Sequence, residues 1–413
     1  MHNQTHHIGK LNDTESKSVP SDQTYTANRS VVVLLATIAL FVLTQLYLAI
    51  PLLAHVGQDL GSTNPESVTF ALATSFSLAY ACGFLIWGPV SDQYGRRPVM
   101  LVGLIILSIA TFACSFAPSL SWLAGLRILQ GLAASSFAPI ALAYLTETVS
   151  IRHRATAIGT MSTSFLVAGI FGQVLAAWIV LQWDWGWVFI ATGGCLAVAI
   201  PLFAAMVKEP PRAIVDGHLG HRFVALGRII VRPAVLLLSC AHITLLLSFV
   251  AMYTALGSHL WMLSIAPDKV ILLRLIGLPG MFAALLVGPL STRFSMPIIS
   301  VIGYVIAASG LALEAMLSQS LIGIAASSLI FVTGVALAVP AMITQFGSIA
   351  ASNRGAGMAL NGFILFIGAS IGPLIATGIP NFVTLLVAAA LMLLIAAFCV
   401  TGSALLTSSL KKI

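Results

Sequence analysis

Charged residues are scarce along this chain. Asp, Glu, Lys and Arg together make up 8% of the 413 residues, whereas a soluble domain carries roughly 25%. So little charge cannot cover a surface that faces water, which excludes an ordinary soluble domain. Hydrophobic residues instead make up 59% of the chain. We therefore expect most of the protein surface to face lipid.

Cysteine is also rare, and the five cysteines all lie inside apolar stretches without the spacing of metal ligands. We therefore expect no disulfide framework and no metal site. The sequence also contains no nucleotide-binding loop and no nucleophile–base constellation. We expect neither a cofactor nor an enzymatic activity.

Long apolar runs are what the sequence has in abundance. A helix needs about 20 apolar residues to cross a bilayer, and twelve runs are of that order. The runs are Val31–Leu53, Val68–Val90, Val99–Phe116, Trp122–Leu145, Ala155–Val180, Trp187–Val207, Ala234–Leu256, Val270–Leu290, Ile298–Leu317, Leu321–Phe346, Gly355–Ile379 and Phe382–Leu406. They predict an all-α membrane protein with twelve transmembrane helices.

Basic residues concentrate on one side of the predicted helices. If both termini lie in the cytoplasm, 16 of the 19 Lys and Arg residues fall in cytoplasmic segments, as the positive-inside rule requires. We therefore expect a multi-pass protein of the inner membrane with cytoplasmic termini. The formal net charge of +7 then reflects topology, so nucleic acid is not an expected partner.

The chain divides into two similar halves. We expect a disordered cytoplasmic tail over residues 1–30, a six-helix bundle over 31–207, a cytoplasmic linker over 208–232 and a second six-helix bundle over 233–407. Residues 200 positions apart correspond: Gly88-Pro89-Val90-Ser91 to Gly288-Pro289-Leu290-Ser291, Gly103 to Gly303, and Gly172 to Gly372. Such duplication predicts two pseudo-symmetric bundles with a binding site between them. The Gly-Pro pair is expected to end the second helix.

The loop after the second predicted helix reads Gly88-Pro89-Val90-Ser91-Asp92-Gln93-Tyr94-Gly95-Arg96-Arg97. It is similar to the loop signature of the major facilitator superfamily, G-x-x-x-D-R/K-x-G-R-R/K, with Gln93 in place of the usual basic residue. The resemblance implies a cytoplasmic ion-pair cluster that controls the conformational equilibrium between the halves. Asp92 is expected to meet the N-terminus of the eleventh helix near Arg354 and Gly355, and Glu147 to pair with Arg96 or Arg97. The expected switch residues are Asp92, Gly95, Arg96, Arg97 and Glu147.

The fourth predicted helix contains Arg127, followed by Gln130 and Gly131. This stretch resembles the R-x-x-Q-G signature of proton-linked carriers in the superfamily, which implies a role for Arg127 in proton transfer. Arg127 and Gln130 lie three residues apart and so share one helix face. A buried arginine is costly, so we expect Arg127 to face the cavity or a partner. The alternative is that Arg127 bonds to backbone carbonyls or extends toward the surface.

The group that carries a proton is harder to find in the sequence. Only Glu314, of the 12 acidic residues, lies well inside an apolar run, and the family resemblance places its helix at the periphery. A charged carboxylate there needs a partner such as Arg274, or it binds a proton. His242 is another candidate because the charge of histidine changes near neutral pH. The proton-coupling candidates are Arg127, Glu314 and His242.

Polar residues within the apolar runs are the expected substrate-binding residues. They are Gln45, Tyr47, Tyr80, Gln130, Gln173, Tyr253, Arg274 and Asn361. Apolar walls with a few polar groups suit a small amphipathic ligand. Gln173 stands where many drug:proton antiporters of the superfamily carry proline, and the complete G-x-x-x-G-P form lies instead at Gly368–Pro373.

Within the superfamily, the sequence looks most like the sugar-efflux and drug:proton antiporter branch. This implies proton-coupled efflux of a drug or sugar-like compound by a monomer in the lipid bilayer. Transport of an organic anion is an alternative, because Arg127 and Arg274 make the interior electropositive. A receptor or channel without coupled transport is a second alternative.

Overall fold

The structure is a computed structural model that describes residues 27–62, 64–210, 230–349 and 354–410. Within these residues all regular secondary structure is helical, and twelve helices are long and apolar enough to cross a membrane. They are α1 Arg29–Tyr47, α2 Pro65–Tyr94, α3 Arg96–Cys114, α4 Leu120–Thr148, α5 Ala157–Val180, α6 Gly186–Met206, α7 Pro233–Met262, α8 Lys269–Ser291, α9 Met296–Met316, α10 Leu321–Ile349, α11 Gly357–Gly378 and α12 Phe382–Thr407. The predicted twelve-helix, all-α membrane fold is confirmed.

Several spans begin at side chains that cap the first turn. The Asn28 carboxamide accepts from the N–H of Ser30 at 2.9 Å at the start of α1. Asn64 does the same for Glu66 at 2.9 Å, directly before a proline at the first helical position of α2. These groups satisfy N–H donors that have no partner within the helix. The first two helices therefore start at residues that local sequence specifies.

Four spans are irregular where the predicted runs were continuous, and one of them is α8, which contains a 3-10 turn at Phe282–Leu286. α1 is followed directly by a second helix, Ala49–Asp59, in which Pro51 has no N–H for the preceding turn. α2 contains a π-helical turn at Phe70–Thr74, and α4 is broken around residues 135–137. Such turns release backbone carbonyls from the regular ladder, and those carbonyls need other donors.

The second helix does not end at its Gly-Pro pair, and that sequence-based expectation was wrong. α2 continues through Pro89 and ends at Tyr94. A proline inside a helix removes one hydrogen bond but leaves the following turns intact. Gly95 ends the helix instead, with φ 104° and ψ 152°, a backbone conformation that favours a residue without Cβ.

The helices form two six-helix bundles that pack by the same pattern. In the first half α1 packs on α5, and α3 packs on α4 and α6. In the second half α7 packs on α11, and α9 packs on α10 and α12. Each contact therefore recurs six helices later, as expected for pseudo-symmetric halves. The halves meet mainly where α2 lies against α11 and where α5 lies against α8.

Glycines at equivalent positions make equivalent close contacts in the two halves. A Cβ on Gly103 would meet α4, and a Cβ on Gly303 would meet α10. A Cβ on Gly172 would press on the backbone of α1, and a Cβ on Gly372 would press on the backbone of α7. Small residues at such contacts let transmembrane helices approach closely. Residues 200 positions apart therefore match both in amino-acid type and in the helix contacts that they make.

Candidate functional site

The loop between α2 and α3 carries an ion-pair cluster centred on Arg96. The Arg96 guanidinium lies 2.5 Å from a carboxylate oxygen of Asp92 and 2.9 Å from Oε1 of Glu147. It also donates to the Ser91 hydroxyl at 2.6 Å. Glu147 belongs to α4, so this ion pair joins the loop to another helix of the same bundle.

Glu209, which the sequence reading did not single out, binds the start of α3. Its Oε1 accepts from the backbone N–H of Arg96 at 2.9 Å, and its Oε2 accepts from that of Arg97 at 2.7 Å. A carboxylate is stabilised at the N-terminus of a helix, where N–H groups lack intrahelical partners. The only sequence signal is an acid placed shortly after α6, close to the membrane boundary where α3 starts. We call Asp92, Arg96, Glu147 and Glu209 the loop cluster.

Arg97 binds the C-terminal end of α6, just as Glu209 binds the N-terminal end of α3. Its Nε donates to the carbonyl of Val207 at 2.7 Å, and Nη2 donates to the carbonyl of Ala204 at 2.9 Å. These carbonyls belong to the end of α6, where a cation is favoured by the helix dipole. The alternative pairing of Glu147 with Arg97 is therefore not formed. The expected contact of Asp92 with Arg354 and Gly355 falls outside the described side chains.

Arg127 lies inside the N-terminal bundle and is fully buried. Its Nε donates to the carbonyl of Leu72 at 2.7 Å and Nη2 to the carbonyl of Gln45 at 2.8 Å. Nη1 donates to Oε1 of Gln130 at 2.9 Å. Leu72 lies in the π-helical turn and Gln45 next to the interruption after α1. The guanidinium therefore binds carbonyls near the irregular turns of two helices, as the carbonyl-bonded alternative anticipated.

Gln130 extends this network to α3. Its Nε2 donates to the Thr111 hydroxyl at 2.7 Å and lies 3.4 Å from the Oε1 of Gln45. The Cys114 thiol donates to Oε1 of Gln130 at 3.3 Å. Arg127 and Gln130 thus share a helix face, and their network joins α1, α2, α3 and α4 within one bundle.

Aromatic side chains fill the contact between the two bundles. The Tyr47 ring lies edge-on to Phe249 at 5.9 Å, and the Tyr80 ring lies edge-on to Phe366 at 4.5 Å. Phe366 also lies 5.4 Å from Phe84, which contacts Gly362 of α11. These residues come from α1, α2, α7 and α11. We call Tyr47, Tyr80, Phe84, Phe249 and Phe366 the aromatic seam.

Three further substrate candidates, Gln173, Tyr253 and Asn361, lie near the aromatic seam or inside the C-terminal bundle. Gln173 donates to the Gly169 carbonyl of its own helix at 2.7 Å, and a Cβ on Gly169 would meet Phe249 of the seam. Tyr253 packs on Phe249 with ring centroids 4.9 Å apart. Asn361 lies beside His242 in the C-terminal bundle. From the sequence we named the two tyrosines of the seam but not its phenylalanines, because phenylalanine is an ordinary apolar residue of membrane helices and carries no signal of its own.

His242, Arg274 and Glu314 are buried in the C-terminal bundle. Neither ring nitrogen of His242 meets hydrogen-bond geometry with any described residue, although Asn361 lies beside the ring, and the ring lies 5.3 Å from that of Phe346. Both carboxyl oxygens of Glu314 lack a hydrogen-bond partner among the described residues, as does Nε of Arg274. Glu314 is fully buried, although its helix also has an exposed face that includes Ile298, Ile302 and Met316, which agrees with the peripheral position expected for that helix. The predicted ion pair of Glu314 with Arg274 is not formed.

Residues 35–373 of the chain match the sequence model of the Major Facilitator Superfamily. The chain belongs to this superfamily. The match covers most of both halves, and it confirms the resemblance drawn from the loop signature and the R-x-x-Q-G stretch. Members of the superfamily are transporters, so the ion-pair cluster and the aromatic seam belong to a transport protein.

Curated relatives of this superfamily member include transport and drug-resistance proteins. The inner membrane transport protein YnfM of Escherichia coli is 27% identical over 292 residues, covering 68% of this chain and 69% of the relative. The multi-drug resistance efflux pump PmrA of Streptococcus pneumoniae is 30% identical over 164 residues, or 39% of this chain and 41% of the pump. A bicyclomycin resistance protein homolog of Haemophilus influenzae is 28% identical over 156 residues, or 37% and 39% of the two chains.

A solved structure of a superfamily transporter has the same fold. The bacterial homolog of the human lysosomal transporter Spinster, crystallised in an inward-facing and unoccupied conformation, aligns with a TM-score of 0.67. The alignment covers 91% of this chain and 96% of that one, at 17% sequence identity. At this identity the likeness establishes the fold alone.

Proposed function

We propose that this protein exports a small amphipathic compound, a drug or sugar-like molecule, across the inner membrane in exchange for protons. The proposal rests on the aromatic seam, where aromatic side chains of α1, α2, α7 and α11 contact one another between the bundles. The Tyr80 hydroxyl in this seam is buried and has no hydrogen-bond partner among the residues that the structure describes. Aromatic walls with a few polar groups bind ligands that are partly apolar.

Transport requires that the seam part and close again as the bundles rock about the site. The loop cluster is the proposed switch for this motion, because Arg96 holds α2, α3 and α4 together through two carboxylates. Its Gly95 turn and the Glu209 contact orient the start of α3. We place this end of the molecule in the cytoplasm with both termini, since the basic residues gather there.

Export as the direction is supported by the names of two relatives, a multi-drug efflux pump and a bicyclomycin resistance protein homolog. Transport of an organic anion is less well supported than the sequence alone suggested. Each of the three guanidinium nitrogens of Arg127 donates to an acceptor within the N-terminal bundle. This guanidinium therefore has few donors left for an anionic ligand between the bundles.

The test is transport by purified monomeric protein in proteoliposomes with an imposed proton gradient. Lipophilic cations, neutral glycosides and organic anions are supplied in separate reactions, and substrate flux and proton flux are recorded together. The proposal expects substrate-dependent proton flux with a cation or a neutral compound. The matched variants are Tyr80→Phe, which removes a buried hydroxyl from the seam, and Tyr94→Phe, which alters an exposed tyrosine.

Flux with organic anions alone would favour the organic-anion alternative. Substrate flux without any proton movement would refute the coupling, and substrate passage that no gradient can drive uphill would favour a channel. Equal transport by Tyr80→Phe and Tyr94→Phe across all compounds would remove the Tyr80 hydroxyl from the substrate site.

A further inference from the structure

Glu314 lies in the last turn of α9, two residues before that helix ends, and is the one acid of the chain that lies well inside an apolar run. Its side chain is fully buried, and neither carboxyl oxygen has a hydrogen-bond partner among the described residues. An ionised carboxylate in such a place costs several kcal/mol without a partner. This environment therefore favours the neutral, protonated form of the Glu314 side chain over the ionised one.

The helices around Glu314 supply few groups that titrate. α10, which packs on α9, contains no acid, base, tyrosine or cysteine between Leu321 and Ile349. α12, which also packs on α9, contributes only Cys399 over its described length. α7 contributes Tyr253, within electrostatic range of Glu314, and His259. The His259 Nε2 is already bonded to the Ser318 carbonyl at 2.8 Å.

Arg274 of α8 is the cation that connects to Glu314 through Tyr253, because Tyr253 lies within electrostatic range of both side chains. Its guanidinium is buried, faces Gly257 of α7, and has an Nε without a partner. The other basic residue of α8, Lys269, is exposed at the start of that helix. A buried acid and a buried base thus both lie within electrostatic range of Tyr253 without forming an ion pair with each other.

Tyr253 connects these two groups to the aromatic seam. Its hydroxyl lies 3.5 Å from the Ser328 hydroxyl, and its ring packs on Phe249. Phe249 in turn contacts Tyr47 across the bundle contact. A displacement of Phe249 by a ligand entering the seam would therefore displace Tyr253, which lies within electrostatic range of both Glu314 and Arg274.

We propose that Glu314 is the proton carrier of this transporter and that Arg274 drives the release of its proton. When Tyr253 moves, the carboxyl reaches the guanidinium, the O–H bond of Glu314 breaks, and the proton passes to water. The carboxylate that remains is stabilised by the positive charge of Arg274. Return of Tyr253 separates the pair, and Glu314 takes up a proton again. This inference rests on the proposed proton-coupled transport and names the group that performs the coupling.

The first experiment compares wild type with Glu314→Gln, Arg274→Gln and the control Glu66→Gln, an exposed acid at the start of α2. Glutamine at position 314 mimics the protonated acid and should leave the fold intact. Proteoliposomes are loaded with the compound that wild type transports fastest among the lipophilic cations, neutral glycosides and organic anions tested above. Exchange of labelled for unlabelled compound is then measured beside substrate-driven proton flux. We expect Glu314→Gln to keep exchange but to lose proton flux on the order of a hundredfold, and Arg274→Gln to lose proton flux to a similar extent. Glu66→Gln should keep both.

The second experiment reads the proton on Glu314 without transport. Infrared spectra of the reconstituted protein should contain a protonated-carboxyl band at neutral pH that disappears in Glu314→Gln and persists in Glu66→Gln. In wild type, addition of the transported compound should weaken this band, and in Arg274→Gln it should not. An unchanged band in Glu314→Gln would overturn the proposal, as would normal proton flux in that variant. If wild type moves no protons at all, proton-coupled transport itself fails, whereas the band still reports whether Glu314 is protonated.

Discussion

Replacing Arg127 with lysine tests whether the guanidinium holds three helices of the N-terminal bundle together. Arg127 donates separately to the carbonyls of Leu72 and Gln45 and to the side chain of Gln130. Lysine keeps the positive charge but lacks the planar fork that reaches acceptors in different directions. We expect the ammonium group to keep only the acceptor on its own helix, the Gln130 side chain, so that the two interhelical hydrogen bonds to the Leu72 and Gln45 carbonyls are lost.

The size of the effect follows from the value of hydrogen bonds between membrane helices. Such bonds contribute about 0.6 kcal/mol on average and about 1.7 kcal/mol at most. Two lost bonds therefore predict that Arg127→Lys lowers the free energy of unfolding by about 1–3 kcal/mol. The upper part of this range is expected here, because the acceptors left unpaired are fully enclosed by protein.

The free energy of unfolding can be measured by denaturant titration in mixed micelles, using the fluorescence of the seven tryptophans. Arg232→Lys is the matched control, because Arg232 is exposed directly before α7, and its stability should equal that of wild type. Equal stability of Arg127→Lys and wild type would refute the assignment of a bracing role. Transport is then compared where both proteins are fully folded. Normal transport by Arg127→Ala would remove Arg127 from the proton-coupling candidates.

Three further predictions concern the loop cluster and the contact between bundles. Asp92→Asn should lower turnover while leaving ligand affinity within a few-fold, measured by flux and by binding titration, and normal turnover would contradict the switch role. Glu209→Ala should speed hydrogen exchange of the first amides of α3, measured by mass spectrometry, because two acceptors are removed; unchanged exchange would mean that the contact is weak. Gly362→Ala should displace the Phe84 ring and destabilise the closed seam by about 1–3 kcal/mol, seen as greater thiol labelling of cysteines introduced between the bundles. Gly125→Ala, where a Cβ meets nothing within 4 Å, is its control, and equal labelling would refute the packing argument.

Local sequence determined the number of spans, the loop signature and the pairing of Arg127 with Gln130. The spans follow from the length of apolar runs, which lipid requires of any crossing helix. Gly95 had to permit an unusual backbone turn, and its φ of 104° agrees. Arg127 and Gln130 lie three residues apart on one helix, so their hydrogen bond depends on helical geometry alone. These features need no knowledge of how one helix lies against another.

Tertiary structure alone decided which distant groups meet. Glu209 bonds to the amide of Arg96 across 113 residues, and no spacing rule connects them. The burial of Glu314 between helices, rather than against lipid, depends on the rotation of α9 about its own axis, which a uniformly apolar helix does not specify. The proximity of Tyr253 to both Glu314 and Arg274 depends on how α7, α8 and α9 cross. Packing of side chains fixes such rotations and crossings, because close-packed interiors admit few arrangements, and that packing is a property of the whole folded chain.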